Sequence, residues 1–319
     1  MKITVLDGYT LNPGDNPWDG VEALGETVVH DRTPAELILE RARESEVLLT
    51  NKTPLSAETM AQLPDLKFIS VLATGYNVVD IDAARERGIP VSNIPIYGTD
   101  TVAQYVFALL LEHCHHVGHH ADRVREGKWT TNVEWCFWDY PLVELAGRIM
   151  GLIGFGRIGR RTGELANAFG MQVIASDVVQ GDAPAFSSFA WKTSEEVFSQ
   201  ADVVSLHCPL TPENTGFVNR ELLGLMKPSA ILINTARGPL VNEQDLADAL
   251  NEGRLAGAAV DVVSREPIED GNPLLTAKNI FITPHMAWGT LSARQRLMDT
   301  TVDNVRAFLD GQPINVVNP

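Results

Sequence analysis

Ile149-Met150-Gly151-Leu152-Ile153-Gly154-Phe155-Gly156-Arg157-Ile158-Gly159 is the stretch on which the reading of this 319-residue chain turns. The apolar run Ile149–Ile153 has the length and composition of a buried strand. It enters a glycine-spaced turn at Gly154, Gly156 and Gly159, followed by a helical stretch that reaches Phe169. Three glycines in this spacing have separable jobs: a tight turn, close backbone approach to a pyrophosphate, and close helix–strand packing. Arg157 and Ile158 open the helix, whose free N–H groups and positive dipole end suit phosphates. The hexapeptide alone fits an ordinary turn as well as a nucleotide site. Asp177 changes that. It follows the next apolar run, 172–175, about 20 residues after the last glycine, where the ribose-binding acid of a dinucleotide fold belongs. A carboxylate there accepts hydrogen bonds from both ribose hydroxyls and repels a 2′-phosphate. Val178, Val179 and Gln180 supply no cation to offset that repulsion, so the expected cofactor is NAD rather than NADP.

On either side of this motif, short apolar runs alternate with amphipathic stretches, the rhythm of a doubly wound α/β fold. Strands are expected at 3–6, Val47–Thr50, 68–72 and 90–92, with helices at 56–63 and 80–87. Beyond the nucleotide motif, strands are expected at Val203–Leu206, Ile231–Asn234, 258–262 and 280–283. A long helix is expected from Asp100 toward His120, then an irregular aromatic stretch between Trp129 and Leu145. The last helix, Leu291–Leu309, is expected to bury a face carrying Leu297, Val302, Val305 and Leu309. Two sets of strands in a chain of this length imply two domains.

Composition narrows the function classes. With 25 basic and 41 acidic residues the formal charge is −16, which disfavours nucleic acid and anionic lipid as partners. Cys114, Cys136 and Cys208 are too few and too scattered for a disulfide framework, and none forms a CxxC pair. The amino-terminal segment reads as a strand rather than a secretion signal, and the most apolar helix is too short to span a bilayer. A cytoplasmic protein is expected.

Several stretches then carry a family resemblance. They are Thr50-Asn51-Lys52-Thr53-Pro54-Leu55, Ala73-Thr74-Gly75-Tyr76-Asn77 and Thr99-Asp100-Thr101-Val102-Ala103-Gln104, followed by the glycine motif. Later come Asn234-Thr235-Ala236-Arg237-Gly238, Val260-Asp261-Val262 with Glu266-Pro267, and Thr283-Pro284-His285-Met286-Ala287-Trp288. In order and spacing the chain resembles the D-isomer-specific 2-hydroxyacid dehydrogenases over nearly its whole length, most closely the glycerate dehydrogenase and hydroxypyruvate reductase branch. The resemblance implies a Rossmann NAD-binding domain, residues 100–285 with a dimerisation arm, inserted in a flavodoxin-like substrate domain, residues 1–99 and 286–319. It also implies a homodimer.

The same resemblance assigns Arg237, Glu266 and His285 to catalysis, and the chemistry asks for these types. A 2-oxo acid presents a carboxylate beside a ketone, and an arginine fork can hold oxygens of both. Histidine suits the proton given to the oxyanion as hydride arrives. The glutamate would orient the imidazole and favour its charged form. Asn51, Lys52, Thr74 and Gly75 fall at substrate-contacting positions, the glycine permitting close backbone approach. Thr101, His207, Pro209, Thr215, Thr235, Ala236 and Asp261 fall around the cofactor, with Asp261 near its carboxamide.

Other readings stay open at this stage. A lactate-type or phosphoglycerate-type dehydrogenase shares the family pattern. Formate dehydrogenases share the fold but carry glutamine where this chain has Glu266. An NAD-sensing corepressor or scaffold could use the same body. His113, His115, His116, His119 and His120 crowd one predicted helix in i,i+4 pairs, yet no acid or cysteine completes an evident metal site, and none is expected. Trp129, Trp135, Phe137, Trp138 and Tyr140 are expected at a dimer contact.

Overall fold

The computed structural model describes all 319 residues, which divide into two compact units, Met1–Gly98 with Trp288–Pro319 and Thr99–Ala287.

In the first unit the strands are β1 (Lys2–Val5), β2 (Glu26–Val29), β3 (Val47–Thr50), β4 (Phe68–Val71) and β5 (Val91–Ser92). They form one parallel sheet in the order β2-β1-β3-β4-β5. This is the flavodoxin-like doubly wound order. β3 and β4 are buried along their full length, as central strands covered on both faces must be. β2 was not legible in the sequence. It is an edge strand whose residues alternate between exposed and half-buried, so its sequence lacks the continuous apolar run of its neighbours.

Leu291–Leu309 is one helix, capped by the Thr290 hydroxyl, which accepts from Ala293 N. Leu297 and Val305 are buried in the core with Phe68, Leu72 and Trp18. The buried stripe otherwise differs from the expected one: Met298, Thr301 and Asn304 are inside, Val302 is half-buried and Leu309 is 37% exposed. Phe308 stacks on Phe68 with ring centroids 4.5 Å apart, which fixes the helix rotation past Leu309.

The second unit contains β6 (Ile149–Ile153), β7 (Gln172–Ser176), β8 (Phe189–Trp191), β9 (Val203–Leu206), β10 (Ile231–Asn234), β11 (Gly257–Val260) and β12 (Ile280–Ile282). The sheet order is β12-β11-β10-β9-β6-β7-β8, all parallel. β8 is the other strand the sequence concealed, again a short edge strand with no fully buried residue.

The helix expected to run from Asp100 to His120 is two helices, Thr99–His115 and Val117–Arg125. The break falls at His116, whose φ of 48° is left-handed. The histidine pairs therefore do not share one continuous helical face. His113 is drawn inward: its Nε2 lies 2.8 Å from Ala258 O and its ring packs on Phe281. Burial holds its pKa below the ordinary value. His120 Nδ1 lies 2.8 Å from His116 O, and its Nε2 accepts from Asp139 N at 3.0 Å.

Candidate active site

The nucleotide loop is built by contacts that only glycine permits. Gly154 has φ of +90°, and a Cβ there would lie 2.6 Å from Cys208 N. A Cβ on Gly159 would lie 2.2 Å from Gly154 O, so the helix Arg157–Ala168 sits directly against the turn. Gly156 faces open space instead. Arg157 is exposed and Ile158 half-buried at the first turn. Asp177 stands at the end of β7, where its carboxylate accepts from Phe155 N at 2.6 Å and from Val179 N at 3.1 Å. The ribose-binding candidate is thus already tied to the glycine turn.

The neighbouring loops are stapled by their own side chains. His207 receives Ser205 Oγ at 2.9 Å from its Nε2, and burial pushes its pKa down to about 3, so it is neutral at any working pH. Asn214 donates to Pro209 O at 2.8 Å, and the exposed Thr215 donates its hydroxyl to Thr211 O at 3.1 Å. Thr101 is buried in the first turn of its helix. After β10, the fully buried Asn234 accepts from Ala236 N and donates to Arg237 O, closing the Thr235-Ala236-Arg237 loop. The Thr235 hydroxyl is buried without a partner in the protein. A buried polar atom left unpaired costs about 1–3 kcal/mol. The open glycine turn, the acid at β7 and this orphaned hydroxyl together fit a dinucleotide.

The three residues expected to do chemistry leave the same ends of adjacent strands: Arg237 follows β10, Glu266 follows β11 and His285 follows β12. His285 Nδ1 is 2.6 Å from Glu266 Oε2, with each side chain about a third exposed. Its Nε2 has no partner in the protein. The guanidinium of Arg237 is exposed, donates to Ala236 O at 2.7 Å and forms no ion pair. In a chain with a large acidic excess, an arginine without an ion pair, on the loop after the strand beside that of Glu266, is suited to hold an anion.

Asp261, expected near the cofactor carboxamide, is held by several bonds within the protein. It is 1% exposed. Its Oδ1 accepts from Thr283 Oγ1 at 2.7 Å and Met286 N at 2.9 Å, and its Oδ2 from Ala287 N at 2.8 Å. Its backbone oxygen accepts from His285 N at 2.7 Å. Burial pushes the carboxyl pKa up, and these donors oppose the rise. His285 has φ of 51°, an uncommon conformation for a non-glycine residue. Asp261 surrounds it with the bonds that over-determine that conformation.

In the first unit, Asp7 at the end of β1 accepts from the N–H groups of Asn51, Lys52 and Thr53 at 2.5–2.8 Å. Asn51 is buried and donates its amide to Thr10 Oγ1 at 3.0 Å. Lys52 is exposed, and its ammonium makes no ion pair. In the turn after β4, the Thr74 hydroxyl donates to Ile94 O at 2.7 Å, so it faces inward. The N–H groups of Thr74, Gly75 and Tyr76 have no acceptor in the protein. Asp7 and Asn234 were not singled out in the sequence, where a short acid or amide at a strand end carries no signal of what it holds.

Known proteins resemble this chain throughout. The family model described as D-isomer specific 2-hydroxyacid dehydrogenase, NAD binding domain, matches residues 107–287. A hydroxypyruvate reductase of Blautia hydrogenotrophica is 54% identical over 321 aligned residues, covering 100% of both chains. A glycerate dehydrogenase of Methylorubrum extorquens is 44% identical over 287 residues, 89% of each chain. Among solved structures, an NADPH-dependent glyoxylate/hydroxypyruvate reductase of Sinorhizobium meliloti is similar with a TM-score of 0.84 at 28% identity, covering 100% of this chain and 98% of that one.

Proposed function

The chain belongs to the D-isomer-specific 2-hydroxyacid dehydrogenase family, and from that premise we propose that it interconverts hydroxypyruvate and D-glycerate, with glyoxylate as a poorer substrate. It is an NAD-dependent oxidoreductase acting on the CH–OH group of 2-hydroxy acids. The observation that carries the site assignment is the 2.6 Å contact between His285, after β12, and Glu266, after β11, the strand next to the one that Arg237 follows. The bound nicotinamide cofactor supplies or receives the hydride at C2. Arg237 donates to the carbonyl and carboxylate oxygens of the 2-oxo acid and stabilises the charge that grows on the carbonyl oxygen. His285, its Nδ1 held by Glu266, gives a proton from Nε2 to that oxygen, and removes it in the reverse direction. Thr74 and Gly75 receive the carboxylate on their free N–H groups. The orphaned Thr235 hydroxyl, the glycine turn and Asp177 hold the cofactor, with Thr101, His207, Pro209, Thr215 and Ala236 around it.

Side-chain choice rests on Lys52. Its ammonium is unpaired, and Asn51, which gives one amide N–H to Thr10, keeps its second N–H and its carbonyl oxygen to offer beside it. A hydrogen bond from a charged donor to the substrate's terminal hydroxyl contributes about 1.5–3 kcal/mol, or about 10- to 100-fold. Hydroxypyruvate should therefore exceed pyruvate by that ratio in kcat/KM, and D-glycerate should be oxidised while L-glycerate is not. Pyruvate or a branched 2-oxo acid proving the better substrate would defeat the assignment.

Asp177 should set the cofactor preference. Asp177→Ala removes the charge that repels a 2′-phosphate, so NADPH should gain relative to NADH. It also frees Phe155 N from its 2.6 Å bond, so affinity for both cofactors should fall. The ratio of the two kcat/KM values reads the first effect separately from the second. A native enzyme that uses both cofactors equally would contradict this reading.

The proposal includes a homodimer in the cytoplasm. Val133, Trp135 and Trp138 are 97%, 84% and 63% exposed, a concentration of apolar surface that favours a covering partner. Sedimentation at micromolar concentration should give a dimer, and Trp135→Asp with Trp138→Asp should shift it toward monomer. A native monomer under those conditions would remove this part of the proposal. The three cysteines are free thiols, in keeping with a reducing compartment.

A further inference from the structure

The turn assigned above to the substrate carboxylate is held by a part of the chain that no motif marks. β5 continues into Asn93 and Ile94, which run beside Ala73 and Thr74. Three hydrogen bonds join the two pairs. Ile94 N donates to Ala73 O at 3.0 Å, the Thr74 hydroxyl donates to Ile94 O at 2.7 Å, and the Asn93 side-chain amide donates to Thr74 O at 2.8 Å.

A peptide unit is planar and trans, so its C=O and N–H point in opposite directions. The carbonyl of Thr74 and the N–H of Gly75 belong to one such unit. Drawing Thr74 O toward Asn93 therefore turns Gly75 N–H away from Asn93, toward the β3 side of the turn. The bond from Ile94 N to Ala73 O does the same for Thr74 N–H. The two donors without acceptors owe their direction to the two bonds made by their own carbonyls.

Asn93 is itself held. It is 8% exposed, and its backbone N–H donates to Asn315 O at 3.1 Å. Asn304, fully buried on the last helix, donates to Asn93 O at 3.0 Å and accepts from the Asn315 side chain at 2.8 Å. The three asparagines close a ring that ties the carboxy-terminal segment to the turn. On either side of Asn315 in the tail, Ser92 donates to Ile314 O at 2.6 Å and Asn318 accepts from Val91 N at 2.8 Å. Asn93 and Asn304 are buried, where polar groups are costly unless satisfied, and with the half-buried Asn315 they satisfy one another.

We propose that Asn93 is a positioning residue for the substrate: by bonding Thr74 O it aims the Gly75 N–H at the substrate carboxylate, and the Asn304–Asn315 pair holds Asn93 in place. This rests on the reading that the Thr74-Gly75 turn takes the carboxylate, and two measurements separate the two ideas. The first is amide hydrogen exchange on the native enzyme with NADH, with and without oxamate as a stable 2-oxo acid mimic. Slower exchange across Thr74 to Tyr76 with oxamate supports the carboxylate reading, and unchanged exchange overturns both it and the proposal. The second is steady-state kinetics of Asn93→Asp, which keeps the size and removes the donor. The KM for hydroxypyruvate should rise about tenfold, the effect of one modest hydrogen bond, while kcat and the KM for NADH stay within about twofold. Protection by oxamate together with an unchanged KM in Asn93→Asp would leave the carboxylate reading standing and overturn the role of Asn93. So would a loss confined to kcat, the mark of a merely structural residue. If Asn93→Asp does not fold, Asn93→Ser serves the same test, because its hydroxyl is too short to reach Thr74 O.

Discussion

Replacing His285 by alanine is expected to lower turnover by about two to four powers of ten, the usual range for a lost general acid, with NADH binding close to native. The geometry explains why no neighbour should substitute. Glu266 occupies Nδ1 at 2.6 Å and is acceptor-only when ionised, so Nε2 is the proton-bearing position left for substrate. A second variant isolates the chemistry from the backbone. His285 sits at φ of 51°, which asparagine tolerates better than alanine. His285→Asn should therefore hold the loop and still lose the same turnover. Single-turnover rates together with a fluorescence titration of NADH give both numbers. Near-native turnover in either folded variant would remove His285 from the acid–base role.

The second large effect is expected at Arg237. Removing one preorganised donor to a developing oxyanion costs about 100- to 1,000-fold in kcat, and Arg237→Gln should fall in that range or below it, with a further loss in KM. Its guanidinium has one N–H on Ala236 O and no carboxylate partner, so the remaining donors are available for substrate oxygens. Arg237→Lys keeps the charge without the planar fork and should recover only part of the loss. Because the loop is closed by Asn234 through backbone and carbonyl bonds, neither variant should disturb the fold. An Arg237→Gln enzyme within about tenfold of native kcat/KM would show that the charge acts elsewhere.

Both predictions rest on residues that are legible in the sequence, while the supports beneath them are not. The glycine turn could be read because its logic is local: strand, glycines and helix are contiguous, and Gly154 and Gly159 are demanded by atoms within a short reach, such as Gly154 O against Gly159. Asp177 could be read because a parallel strand after a helix has nearly constant length, which puts its last residue at a known offset. The edge strands β2 and β8 escaped because half-exposed strands carry mixed residues. The helix break at His116 escaped because the residue that takes the left-handed conformation is a histidine, while the nearby Gly118 lies inside the next helix.

By itself, then, the sequence determined the two α/β sets of strands and the dinucleotide turn with its acid, which are properties of spacing and residue type within single strand–loop units. Its family resemblance pointed to Arg237, Glu266 and His285. The tertiary structure alone decided which of them meet, and what holds them. The His285–Glu266 contact depends on β11 and β12 lying side by side. Asp261 became the anchor of the His285 loop only when the end of β11 was buried under that loop, where a carboxylate must find donors. The aim of the Gly75 N–H depends on Asn93, and through it on Asn304, 211 residues further along the chain. An asparagine has no periodicity and no motif; its meaning comes from the one carbonyl that burial leaves within its reach.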